Sequence, residues 1–120
     1  MREITEHQIN ECNSAIRITA DEPDMQNGGA SHEYLVDFSA NEPAVVLSFQ
    51  RGPIKEVGTN GITHEVLLAV LIDRMRGFQS GPYACRENAL ALTKLEEARM
   101  WLNERTRARV ARGVEGTHEK

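Results

Sequence analysis

Cysteine is scarce. Cys12 and Cys85 are the two in 120 residues, and they form no metal or redox spacing. They read as free thiols in a reducing cytosol rather than as a disulfide. Long apolar runs are also missing, since nothing approaches the roughly 20 residues of a membrane span. The opening "MREITEHQIN" lacks the apolar core of a signal peptide. A globular chain with no membrane attachment is therefore expected. Excess positive charge is lacking as well. The formal net charge of −4 argues against a chain wrapped in nucleic acid. His7, His32, His64 and His118 have no ligand-spaced neighbours, so no metal site is expected. Glu96 and Glu97 are consecutive and would point apart on a helix, and Cys85 has no histidine base beside it. Without a catalytic constellation, neither an enzyme nor a cofactor is expected.

What the chain does have is asymmetry. Residues 1–60 hold 4 basic and 10 acidic side chains, whereas residues 61–112 hold 9 basic and 6 acidic. A basic half beside an acidic half points to an anionic ligand for the former. Hydropathy divides the chain similarly, into an expected β subdomain at 1–59 and a helical domain at 60–120. In the first, "TEHQ" at 5–8 reads as a capping box for a brief helix. "AIRIT", "HEYLVDFS" and "AVVLSFQ" alternate as strands, with Tyr34, Val36 and Phe38 on one face and Val45, Leu47 and Phe49 matching them. An antiparallel sheet of about three strands follows. "RGPIKEVGTNG" at 51–61 is a connector dense in turn formers.

The second half predicts an antiparallel two-helix hairpin, and the fold class is α+β. "ITHEVLLAVLIDRMRGF" carries Val66, Leu67, Val70, Leu71 and Met75 at helical spacing, with Asn60 or Thr63 as its cap. Gly77, Gly81 and Pro82 are expected to break it. A second helix from about Ala84 to Arg112 ends at Gly113.

Along that helix, steps of 4,3,4,3 give Ala84, Asn88, Ala91, Leu95, Ala98, Leu102, Arg105 and Arg109. The stripe runs for roughly three and a half heptads, small and aliphatic at its centre and polar at its ends. Two copies packed antiparallel about its midpoint would set Asn88 of one chain against Arg105 of the other, and Ala84 against Arg109. The two equivalent sites would lie about 25 Å apart. Each would hold two guanidiniums, a carboxamide and the loop "FQSGPY". Arginines fork onto phosphates, asparagine binds a base edge, and Phe78 or Tyr83 can stack. Two readings stay open at this level. A polar residue on a seam also fixes register, and arginines near a helix C-terminus meet its dipole favourably. "RTRARVAR" reads equally as a solvated basic face or a nucleic-acid patch.

The stretch "NGITHEVLLAVLIDRMRGFQSGPYACRENALALTKLEEARMWLNERTRARVARGVEGTH" at 60–118 resembles the helical-hairpin domain shared by phage anti-Thoeris and anti-CBASS sponge proteins. The added sheet, joined through "FQRGPIKEVGTNG", is similar to that of the first-described Thoeris anti-defence sponges. The resemblance implies a phage protein in the host bacterial cytoplasm that binds an immune nucleotide and holds it intact. For the Thoeris type that nucleotide is a cyclic ADP-ribose isomer, glyco-cyclic ADP-ribose. It implies that Phe78, Asn88, Arg105 and Arg109 line the pocket at a dimer interface, that the loop matching Phe78–Tyr83 closes on the ligand, and that dimers assemble to a hexamer. Some members take cyclic di- or trinucleotides in separate pockets, and Arg51 and Lys55 are assigned here to such a second site. The competing function class is a small dimeric phage protein that binds nucleic acid through the arginine-rich helix; another is an interaction module with no ligand.

Overall fold

The computed structural model describes residues 1–119 and is α+β. The chain forms two compact units, Met1–Ile62 and Thr63–Lys120.

The first unit is a four-stranded antiparallel meander of β1 (Arg2–Ile4), β2 (Arg17–Ala20), β3 (Glu33–Asp37) and β4 (Val45–Ser48), paired in sequence order. Register aligns Ile4, Ile18, Val36 and Val45 across the sheet, and Ala20, Tyr34 and Leu47 in a second row. Because side chains alternate with period two, these apolar residues share one face. Ala20 is fully buried and the Tyr34 and Phe49 rings meet edge-on at 5.6 Å, yet Val45 is largely exposed. A small sheet covers its own apolar face poorly.

Two expectations change in this unit. The sheet has four strands rather than three, because β1 is held by its register with β2 and is too short to show alternation. Thr5–Gln8 forms a turn closed by Gln8 N–H on the Thr5 carbonyl at 3.0 Å, not a helix. The brief helix α1 (Glu11–Ser14) starts later, where the Asn10 side chain accepts from Asn13 N–H at 2.7 Å. That asparagine takes the capping role expected of the threonine, satisfying an amide that the first helical turn leaves without a partner.

The connector after β4 is ordered by side-chain amides. Gln50 donates to the carbonyls of Gly52 and Gly58 and accepts from Asn60 N–H, while Asn60 bonds both the N–H and the carbonyl of Arg51. Asn60 is therefore spent here and does not cap the next helix. The chain then returns beside β4, with Phe49 and Ile62 in a parallel bridge. Gly61 permits this, since a Cβ there would come within 2.6 Å of the Ser48 and Phe49 carbonyl oxygens. The turn helix α2 (Ile54–Val57) lies within the connector.

The second unit is a hairpin of α3 (His64–Gln79) and α4 (Arg86–Ala111). Thr63 caps α3 by accepting from Val66 N–H at 3.3 Å. Gly77 does not break α3, which continues to Gln79. A single glycine in a helix costs only about 1 kcal/mol relative to alanine, and Gly81 with Pro82 forms the actual turn. Gly113 ends α4 in a left-handed conformation, φ 74°, and Val114 N–H returns to the Arg109 carbonyl.

Half-buried positions on α4 fall at Asn88, Leu92, Leu95, Arg99, Leu102, Thr106 and Arg109, again in steps of 4 and 3, with Glu96 beside Leu95 half-buried as well. The sequence stripe is thus split. Asn88, Leu95, Leu102 and Arg109 turn inward, whereas Ala84, Ala91, Ala98 and Arg105 are exposed. Across the hairpin Arg76 pairs with Glu96 at 2.6 Å. Ile72 is the one large side chain fully buried among the described residues, at 1% exposure, and Trp101 stands 61% exposed. Two helices share a single line of contact, so a hairpin of this size leaves most of its apolar surface uncovered.

Candidate functional site: a groove beside the helical turn

Two rows of residues, each spaced by one helical turn, run along the outer face of α3. Ala69, Asp73 and Gly77 form one row; Val70, Arg74 and Phe78 form the other. With Gly81, Pro82 and Tyr83 from the turn they enclose an open groove of about 710 Å³. That size lies within the range of small-molecule sites.

The aromatic wall is preset. Phe78 and Tyr83 rings lie 6.4 Å apart at 60°, and the Arg74 guanidinium carbon stands 5.0 Å over the Phe78 ring. A cation in that position is held by the ring's quadrupole. Tyr83 is 74% exposed. The turn that carries it is fixed by Gln79, whose side chain accepts from Cys85 N–H at 3.1 Å and donates to the Cys85 carbonyl at 3.2 Å. At Gly77 an added Cβ meets no atom within 4 Å, so the groove has free depth there.

Phe78 and Tyr83 thus come together in one site. Asn88 lies near the start of α4, outside the groove lining, and its carboxamide has no hydrogen bond among the described residues. Arg105 is 17 positions further along the same helix (105 minus 88), about 25 Å away at roughly 1.5 Å per residue. No single protomer can close Asn88 and Arg105 on one small ligand.

The two arginines are not equivalent. Arg105 is exposed and has no ion pair or hydrogen bond among the described residues. Arg109 is only 16% exposed and is wrapped by the C-terminal segment. Its guanidinium donates to the carbonyls of Val114 at 2.9 Å, Thr117 at 3.1 Å and Glu119 at 2.5 Å, and pairs with Glu115 at 3.6 Å. Arg107 is paired with Glu104.

In the first unit, Arg51 lies in a second, smaller groove of about 280 Å³ with Asp21, His32, Ser48 and Asn60. Its guanidinium stands 3.3 Å from both the Asp21 and Asp24 carboxylates. The Asn27 amide donating to Asp24 holds that carboxyl below the usual range, helped by the Gln26 N–H and the Arg51 charge. An anion reaching Arg51 must therefore displace a carboxylate. Lys55 sits on α2, exposed and outside the lining. Among the described residues no group of three or more His, Cys, Asp or Glu could hold a metal ion, and no helix is long and apolar enough to cross a membrane.

Asp73 and Arg74 in the groove, and Gln79 behind it, are site residues that the sequence does not single out. The signal that could have found the groove is the one-turn spacing of Ala69, Asp73 and Gly77, which marks a helix face with a floor of small side chains.

The family model for the Acb2/Tad1 hairpin domain matches residues 42–107. The match takes in β4, the connector, α3 and α4 as far as Arg107. A curated relative, "Thoeris anti-defense 1" of Bacillus phage SBSphiJ7, is 54% identical over 93 residues. That alignment covers 78% of this chain and 65% of the relative, so the chain spans just under two thirds of the relative's length. The groove residues, Asn88 and Arg105 all fall inside the matched region, and with it the chain belongs to the Acb2/Tad1 hairpin-domain family.

Proposed function

We propose that this protein is a phage anti-defence sponge, which captures a cyclic ADP-ribose isomer of Thoeris signalling in the host bacterial cytoplasm and holds it without cleavage. The observation that carries this reading is the aromatic groove at the helical turn, with an unpartnered carboxamide and an unpartnered guanidinium at opposite ends of α4. Phe78 and Tyr83 offer π-faces to a base. Asn88 offers donors and an acceptor to base or ribose, and Arg105 neutralises a phosphate. Since the two ends of α4 are far apart, Arg105 comes from a second copy packed antiparallel. The exposed small residues Ala91 and Ala98 let two such helices approach closely, and apolar surface around Trp101 and Met100 remains to be covered in the assembly. Dimers assembling further to a hexamer would cover more of it. The Phe78–Tyr83 turn closes over the ligand, which slows release more than capture.

Cyclic di- or trinucleotides would need the second groove, where Arg51 has to exchange Asp21 or Asp24 for a phosphate. The nucleic-acid reading is disfavoured by what the helix arginines do: Arg107 is paired with Glu104, and Arg109 is enclosed by its own chain. Calorimetric titration with a panel of cyclic ADP-ribose isomers and cyclic oligonucleotides, alongside light scattering for mass, tests the proposal. One isomer bound per protomer in an even-numbered oligomer supports it; salt-sensitive binding to DNA or RNA with no isomer bound refutes it.

A further inference from the structure

Resting on the sponge reading, we propose that Asp73 is the specificity-determining acceptor of the groove: its carboxylate takes a hydrogen bond from the exocyclic amine of the bound base. The groove has two charged side chains, Asp73 and Arg74. Arg74 is committed to the face of Phe78. Asp73 is exposed on the adjoining row and has no hydrogen bond or ion pair among the described residues.

A carboxylate only accepts hydrogen bonds. Set between Ala69 and Gly77, one turn away on either side, it is the polar feature of a small-residue floor. An occupant stacked at Phe78 gains when it turns a donor toward that floor and loses when it turns a lone pair there, because the displaced water is not replaced. The base is thereby oriented with its amine edge toward the floor. Adenine meets the demand through its 6-amino group. Hypoxanthine has the same shape and stacking face but carries a 6-oxo group at that position.

The test is calorimetric titration of the full chain and of Asp73→Asn and Asp73→Ala with cyclic ADP-ribose isomers and their hypoxanthine counterparts. Circular dichroism checks that helix content is kept, as expected for a substitution on an exposed helix face. The wild type should favour the adenine ligand about tenfold, the difference of one hydrogen bond made or unmade. Asp73→Asn should bring the two ligands to parity or invert them, because an amide can donate to the 6-oxo group. Asp73→Ala should lose the preference without inverting it. An adenine-to-hypoxanthine ratio unchanged in Asp73→Asn overturns this inference alone. Failure of the wild type to bind any of the ligands overturns the sponge reading and this inference with it.

Discussion

Arg105 and Arg109 lie one turn apart on α4, but only Arg105 faces solvent; Arg109 is closed in by the carbonyls of Val114, Thr117 and Glu119. Position on the helix gives both nearly the same direction, and the chain beyond Gly113 separates their roles. Arg105→Ala should weaken ligand binding about tenfold to a hundredfold, the loss of a charge-assisted contact, and leave the unfolding midpoint nearly unchanged. Arg109→Ala should lower the midpoint, because the carbonyls around it and the Glu115 carboxylate lose their donor. Thermal denaturation and titration of the two variants read both effects.

Asn88 separates a binding role from a packing role. If it contacts the ligand, Asn88→Ala lowers affinity about fivefold to tenfold, the worth of about one hydrogen bond, and does not strengthen the dimer. If it serves register alone, the same variant stabilises the dimer and leaves titrations unmoved. Sedimentation and calorimetry on one preparation decide between them.

Gln79 fixes the turn through both backbone groups of Cys85. Gln79→Ala should free the segment bearing Tyr83 and speed ligand release several-fold while altering the on-rate little. Stopped-flow displacement measures this directly.

Ile72 carries the core of the helical unit. Ile72→Ala should destabilise that unit by about 2–5 kcal/mol, the range for emptying a packed aliphatic site. Ala69→Ser, on the exposed row of the same helix, should change stability by less than about 0.5 kcal/mol. Denaturant unfolding of both variants supplies the comparison.

Acid acts through Asp24. Its carboxyl is held below the ordinary aspartate value by the Asn27 amide, the Gln26 N–H and Arg51. A depressed folded value means the unfolded chain binds the proton more readily, so the contribution is present above the unfolded value and lost as pH falls through the folded one. Stability of the first unit should therefore decline below about pH 4, and Asp24→Asn should flatten that decline. Denaturant midpoints across about pH 2–6 test the sign.

Much of this architecture was legible in the chain. Alternation in Tyr34–Val36 and Val45–Leu47 specified β3 and β4, and Thr63 with the apolar spacing after it specified α3. The pairing of β1 was not legible, because Arg2–Ile4 owes its conformation to a partner strand that begins only at Arg17. The heptad stripe was visible, but periodicity alone gives no sign of which half of it faces α3. Arg109 shows the same limit: most of its partners are backbone carbonyls, which leave no mark in a sequence. The groove depended on Gly77 staying helical and on Gln79 reaching across the turn, and both are matters of tertiary geometry.

The most direct measurement is recovery of captured ligand. The protein is saturated with a cyclic ADP-ribose isomer, freed of excess by gel filtration, heat-denatured, and the released nucleotide identified by mass spectrometry. Capture without chemistry predicts the intact isomer in near-stoichiometric amount, able to activate a Thoeris effector once released and unable to do so before. Release of hydrolysed or rearranged nucleotide, or no retained nucleotide at all, would contradict it.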